Sequence, residues 1–317
     1  MTKATALVTG CAGFIGSSLV EHLLERNYTV IGVDNLRTGI LNNMSAAVDN
    51  PRFQFIERDV CEQDWGSSIK SDVDIIYHLA AISSVKLSIE NPLLVHRNNV
   101  EATMNVLEMA RNEKVQRVVF SSSAAVYGNP QNTPISEDTP LSPLSPYAAS
   151  KIAAEQYMQA YSMTYNLESV VLRYFNIYGP RQAYSEYSGV ISIFINQALN
   201  GMPIIVDGDG SQTRSFLHVD DVVRATCLAG DVAAAAGVTM NICAEESVSI
   251  NRIAEQVLKS VEDTESEIVH GPKRIGDVRH SKGTTARAHE VLGFTPSVSL
   301  DAGLANTVEW YRNLLKS

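Results

Sequence analysis

Residues 5–24 read "TALVTGCAGFIGSSLVEHLL", a short β-branched apolar run that breaks on glycine and resumes with helical spacing. Gly10, Gly13 and Gly16 fall at that joint. Each has a mechanical use: a tight turn, a close backbone approach to a pyrophosphate, and close helix–strand packing. The helix that opens there presents unpaired N–H groups and a positive dipole end to phosphate. The next apolar run, "YTVIGVD" (28–34), ends on Asp34, 18 residues beyond Gly16, where an acid binds adenosine ribose hydroxyls. Its carboxylate repels a 2′-phosphate, so NAD is expected rather than NADP. Arg37 runs against that preference and is read as a solvated loop charge.

Outward from this joint the chain alternates strand-like and helix-like stretches. "RFQFIERDV" (52–60), "VDIIYHLAA" (73–81), "VQRVVFSSS" (115–123) and "LESVVLRYFNIYG" (167–179) read as strands, with "NVEATMNVLEMARNEK" (99–114) as a helix between two of them. That rhythm predicts a Rossmann-type α/β fold, a doubly wound parallel sheet with helices on both faces. From about Asn176 the pattern loosens into turns and short elements, the mark of a smaller, mixed α/β C-terminal lobe. The expected division is residues 1–175 for cofactor binding and 176–317 for the lobe, with 217–243 returning to the first sheet.

The 317 residues carry 45% hydrophobic and 19% charged side chains, as expected of a globular protein. A formal charge of −10 argues against nucleic acid, whose partners present a basic face. Cys11, Cys61, Cys227 and Cys243 show no CxxC and no zinc spacing, so no metal is expected and the thiols suit a reducing compartment. No run approaches the ~18 apolar residues of a membrane span, and the first strand begins too early to leave room for a signal core. A cytoplasmic protein with no membrane partner is expected.

"SPYAASKIAAEQY" (145–157) places Tyr147 and Lys151 four apart, on one face of a helix. Alone, such a pair is an ordinary surface feature. With the glycine joint, "HLAA" (78–81), "NNV" (98–100) and "SSSAAVYG" (121–128), however, it resembles the extended short-chain dehydrogenase/reductase superfamily. "RYFNIYGPRQ" (173–182), "GDGSQTRSFLHVDDVV" (208–223) and "GDVRHS" (276–281) narrow the likeness to NAD-dependent epimerases and dehydratases acting on nucleotide sugars.

The resemblance implies roles. Tyr147 is the catalytic base, and Lys151 holds the nicotinamide ribose. A phenol of pKa roughly 10 is a poor base at neutral pH, and a neighbouring ammonium together with a cationic nicotinamide ring is expected to lower it. Ser123 matches the serine that bonds the reacting hydroxyl, with Ser122 as the alternative. The glycines, Phe14, Ile15, Asp34, Asn35, Asp59, Val60, Leu79, Ala80, Ala81, Asn99 and Ser121 fall at cofactor positions, with Tyr174 and Phe175 on the nicotinamide side. Asp59 reads equally well as a helix cap. For the UDP-sugar, Asn176, Arg214 and Arg279 match diphosphate contacts, Asp277 the nucleotide ribose, and Arg274 a helper.

Dehydratases and decarboxylases of this type carry an acid just before "VYG", where this chain has Ala124 and Ala125. The implied activity is therefore 4-epimerisation through a 4-keto sugar, of UDP-GlcNAc/UDP-GalNAc because Ser281 stands where epimerases limited to plain hexoses carry a bulky tyrosine, and of UDP-Glc/UDP-Gal as well. UDP-glucuronate 4-epimerisation, with Lys86, Ser83 or Ser84 as the extra donor, is the alternative, as is a net NAD-dependent oxidoreductase. A non-catalytic sensing module would not need the serine, tyrosine and lysine together. His78 reads as a hydrogen-bonded structural histidine. The helices at 99–114 and from Lys151 to Tyr165 suit a homodimer.

Overall fold

The computed structural model describes residues 3–183, 189–261, 264–273 and 279–316; Arg274 and Asp277 lie outside them. The first six strands are β1 (Thr5–Thr9), β2 (Thr29–Asp34), β3 (Phe53–Glu57), β4 (Ile75–His78), β5 (Arg117–Ser123) and β6 (Glu168–Tyr174). Short strands follow: β7 (Asn176–Tyr178), β8 (Ile204–Asp207), β9 (Thr213–Arg214), β10 (Phe216–His218) and β11 (Thr239–Ile242). The last three are β12 (Val248–Ser249), β13 (Ile268–Gly271) and β14 (His280–Ser281).

Seven strands form one sheet in the order β11-β6-β5-β4-β1-β2-β3, every pairing parallel. The chain runs outward from β1 through β2 to β3, then returns to place β4 on the other side of β1. That reversal opens a crevice at the carboxyl ends of the strands, where such sheets bind ligands. β4 is buried throughout and β1 nearly so, as strands covered on both faces must be.

Helices α1 (Phe14–Glu25), α2 (Ser45–Val48), α3 (Val85–Glu90), α4 (Pro92–His96), α5 (Ala102–Asn112) and α6 (Pro146–Tyr165) belong to the first part of the chain. They are followed by α7 (Val190–Leu199), α8 (Val219–Asp231), α9 (Ile250–Val261), α10 (Ala286–Leu292) and α11 (Leu300–Leu314). Leu19 and Leu23 of α1 share one core with Val222 and Val223 of α8. Val106 of α5 and Met158 of α6 pack into a second core with β-strand residues Ile76 and Phe120.

The long alanine-rich α6 starts where it does because Ser145 caps it, its Oγ accepting from Ala148 N at 3.2 Å, with Pro146 at the first turn. It stops at Asn166, which adopts the left-handed conformation. Arg117, at the start of β5, caps α8 from across the sheet: its guanidinium donates to the carbonyls of Ala229, Gly230 and Val232 and pairs with Glu168. A cation at a helix C-terminus is stabilising there. The stretch 99–114 is not one regular helix; a π turn spans Arg97–Glu101 before α5 begins. The wider turn sets Asn99 where its amide bonds both backbone groups of Ile82.

The C-terminal lobe holds a third core, in which Tyr178, Phe194 and Ile195 meet Ile253 and Val257 of α9 and Leu304 and Val308 of α11. α11 approaches closely because Gly303 faces Tyr178; a Cβ there would lie 2.2 Å from the Tyr178 hydroxyl. Gly303→Ala is expected to destabilise the protein by about 1–3 kcal/mol through overpacking, read as a lowered Tm with NAD binding retained.

Candidate functional site

The glycine joint is a cradle that side chains would fill. Gly10 has φ +73°, and a Cβ on it would sit 2.8 Å from Ala80 N. A Cβ on Gly16 would collide with the Gly10 carbonyl at 2.0 Å. Gly13 stands at the N-cap of α1 without a side-chain cap, so the first-turn amides face the crevice bare. Phe14 and Ile15 open α1 and pack against the first core.

Around this joint a cleft is lined by Gly10, Gly13, Asp34, Asn35, Asp59, Val60 and the 79–81 backbone. Asp34 is held by two backbone amides: its carboxylate accepts from Ala12 N at 3.0 Å and Leu36 N at 2.8 Å. Burial raises its pKa, and those amides oppose the rise. Asp59 Oδ1 accepts from Cys61 N at 2.9 Å, a turn contact, while its residue also lines the cleft. These groups fit NAD: bare amides for the pyrophosphate, a fixed carboxylate for the ribose, and apolar walls beside them.

Arg37, read as a loop charge, lines the same cleft, as do Thr38, Arg58 and Asn98, to which the sequence reading assigns no role. Arg37 is not merely a loop charge, since it helps hold Asp59 in its ionised form. Its position three residues past the ribose acid was the available signal. Asn99 is placed differently from the expectation: it is 2% exposed, and its amide bridges Ile82 and Ser150. Tyr174 is also a correction, because its hydroxyl lies 2.7 Å from Thr226 Oγ1 inside the core of the α1/α8 face. Phe175 packs in a small cluster with Tyr127 and Cys243.

The three serines at the end of β5 part company. Ser121 gives its carbonyl to Lys151 Nζ at 2.8 Å. Ser122 donates its hydroxyl to Glu155, whereas Ser123 stands by the Tyr147 phenol and accepts from Ala125 N at 3.2 Å. Burial pushes the Tyr147 phenol up, and the Ser123 bond pulls it down. The expected lowering is therefore not achieved by the chain alone. Burial also lowers Lys151, to about 8, against the opposing charge of Glu155.

His78 is structural. Thr103 spends its hydroxyl proton on the Asn99 carbonyl, so His78 Nε2 must donate to Thr103 Oγ1 and Nδ1 accepts from Thr9. Burial holds it neutral, with a pKa near 3. The described residues contain no group of side chains able to hold a metal.

A second cavity of about 560 Å³ lies in the C-terminal lobe, with Asn176, Arg214, Phe216 and Gln212 among its walls. Arg279 does not reach it: its guanidinium bonds Ser211 Oγ at 2.7 Å and Asp209 at 3.3 Å on an exposed rim. Ser281 sits on β14 in register with Arg214 of β9. Ser84 is engaged as the N-cap of α3, accepting from Leu87 N at 3.0 Å.

A parallel sheet with a glycine cradle at its switch point, beside a half-buried serine and a buried tyrosine and lysine, defines a dinucleotide-dependent enzyme acting on a hydroxyl or carbonyl carbon. Residues 6–243 match the model of the NAD dependent epimerase/dehydratase family. The chain is 40% identical over 309 residues to a UDP-glucose 4-epimerase of Mycolicibacterium smegmatis, covering 97% of this chain and 98% of that one. It superposes with TM-score 0.92 and 35% identity on the Thermotoga maritima UDP-glucose 4-epimerase with UDP-glucose, over 98% of this chain and 99% of that one. A UDP-N-acetylglucosamine 4-epimerase of Methanobrevibacter ruminantium, in complex with UDP-N-acetylmuramic acid, gives TM-score 0.93 at 33% identity over 99% and 100%. The chain belongs to the NAD-dependent epimerase/dehydratase family, as an epimerase whose cofactor is NAD.

Lys151→Met should raise the Tm of the cofactor-free protein at pH 7. The drop from 10.5 to about 8 corresponds to roughly 3 kcal/mol. Below pH 8 both folded and unfolded lysine are charged and the folded state bears the full penalty. Between 8 and 10.5 only the folded lysine is neutral, so the advantage of methionine should fade across that window.

Proposed function

We propose that the chain interconverts UDP-GlcNAc and UDP-GalNAc, and UDP-Glc and UDP-Gal as well, by inverting carbon 4 through a transient 4-keto sugar. The observation that carries this reading is the meeting of Ser123, Tyr147 and Lys151 at the end of β5, followed by Ala124 and Ala125. Bound NAD supplies a hydride acceptor that returns what it takes. Tyr147 removes the proton from the 4-hydroxyl and later gives it back, while Ser123 orients that oxygen. Lys151 keeps positive charge beside the phenolate. The two alanines offer no acid to expel a neighbouring hydroxyl, which favours epimerisation over dehydration.

Asn176 and Arg214, both on the 560 Å³ cavity, are assigned to the diphosphate. Ser281 stands beside Arg214 and leaves room for an N-acetyl group. Asp277 and Arg274, outside the described residues, are the remaining family positions for the nucleotide. Homodimer formation through α5 and α6 belongs to the same reading, since α6 leaves Tyr157, Met163 and Tyr165 exposed. A reducing cytoplasm suits four unpaired thiols.

Incubation with each UDP-sugar, resolved by NMR at carbon 4, tests the assignment; a 4,6-dehydrated or decarboxylated product would overturn it. Tyr147→Phe should lower kcat by at least about a hundredfold while UDP-sugar affinity is kept, as measured by calorimetry. Ser281→Tyr should abolish turnover of the N-acetylated pair and spare the plain hexoses. Equal loss on both would show that position 281 does not gate size.

A further inference from the structure

Tyr147, Lys151 and Glu155 stand at successive turns on one face of α6, and each engages one of three consecutive serines of β5. The Tyr147 phenol lies by Ser123, which pulls its pKa down, while Lys151 donates to the Ser121 carbonyl and Glu155 accepts from the Ser122 hydroxyl. The proposed chemistry uses the first two contacts and leaves the third without a role. Glu155 is 5% exposed and Arg173 on β6 is 6% exposed. They meet through two parallel bonds, Arg173 Nε to Oε1 at 3.0 Å and Nη2 to Oε2 at 2.7 Å.

The pair also holds both ends of the turn that carries Ser123. Ser122, just before it, is bound to Glu155. Tyr127, four residues after it, accepts from Arg173 Nη1 at 2.9 Å and donates to Asn241 at 2.6 Å. The Ser123 turn thus lies in a frame anchored to α6, β6 and β11.

We propose that Glu155 is a positioning residue for the epimerisation, clamping the Ser123 turn against Tyr147 and keeping Lys151 in its ammonium form. The inference rests on the reading that Ser123, Tyr147 and Lys151 carry the reaction. A buried ion pair is a poor device for stability alone, because apolar side chains of similar volume serve as well or better. Here the carboxylate lies one turn from a lysine whose proton burial loosens, and it is the group that opposes that loosening. The other polar groups around these two are Arg173 from β6, Tyr127 from the turn after β5, Ser122 from β5 itself, and neutral His78 from β4. Behind Tyr127 the frame continues to Glu137, whose carboxylate accepts from Asn241 N at 2.7 Å. Among these, Glu155 is the anion on the lysine's own helix.

Three variants test this in the full chain with bound NAD: Glu155→Gln, Glu155→Asp, and the double Glu155→Gln/Arg173→Met, which leaves no buried charge unpaired. The alkaline limb of kcat against pH should move down by about one unit in Glu155→Gln and in the double variant, a tenfold weaker hold on the lysine proton. KM should change less than about twofold. Glu155→Asp should restore the limb. A second readout needs no substrate: the pH at which the Lys151→Met gain in Tm fades should fall equally in the Glu155→Gln background. A folded double variant with the wild-type limb and the wild-type fading pH would overturn the proposal, leaving the pair as a fastener between helix and sheet. A wild-type protein silent on every UDP-sugar, with the thermal readout shifted as expected, would instead overturn the epimerase reading.

Discussion

Lys151 keeps an ammonium group almost out of water, and the neighbourhood of α6 and β5 is arranged around that fact. Its Nζ gives one bond to the Ser121 carbonyl and lies 4.8 Å from the centre of the Phe120 ring. A cation over an aromatic face and one backbone acceptor recover only part of what hydration would supply. The Tyr147 phenol beside it faces the mirror-image problem, since burial opposes its negative form as it opposes the lysine's positive one. In the free chain burial keeps the phenol protonated at neutral pH.

The parts of this arrangement that rest on local rules could be read from the residues in order. Glycine spacing, the acid ending the second strand and the four-residue interval from Tyr147 to Lys151 each express backbone geometry, which a sequence carries directly. The alternation of apolar strands with helices fixed a parallel sheet covered on both faces for the same reason. What could not be read was the choice of tertiary partner. Ser122 and Ser123 are chemically identical neighbours. Only their tertiary neighbours separate them: the Ser122 hydroxyl meets Glu155, and Ser123, one residue on at the end of β5, stands by Tyr147, two turns earlier on the same helix.

Other departures have the same origin. Tyr174 ends β6, a strand whose residues alternate faces, and its hydroxyl met Thr226 of α8, a residue 52 positions away. Asn99 was drawn to Ile82 and Ser150 by a π turn that hydrophobic periodicity does not announce. Arg279 was read by motif as a phosphate ligand, yet Asp209 and Ser211 offered nearer partners on the rim. Arg37, read as a solvated loop charge, is indeed exposed, and it also lines the cofactor cleft, where its charge lowers the pKa of Asp59.

The two halves of the site are tied by short strands rather than by a broad interface. β6 runs directly into β7, so Asn176 on the substrate cavity lies three residues beyond Arg173 of the buried pair. β9 carries Arg214 and receives β14 in parallel, which fixes Ser281 next to it through the bond from Ser215 N to the Ser281 carbonyl at 3.1 Å. Ser281, proposed to set sugar size, is thereby registered to Arg214, proposed for the diphosphate, and not to Tyr147. A sugar anchored through its phosphates can turn about that linkage while its reacting carbon stays within reach of one fixed base. A reaction that returns hydride to the opposite face demands that freedom on one side and rigidity on the other, and the short strands of the lobe and the clamped end of β5 divide those two requirements between them.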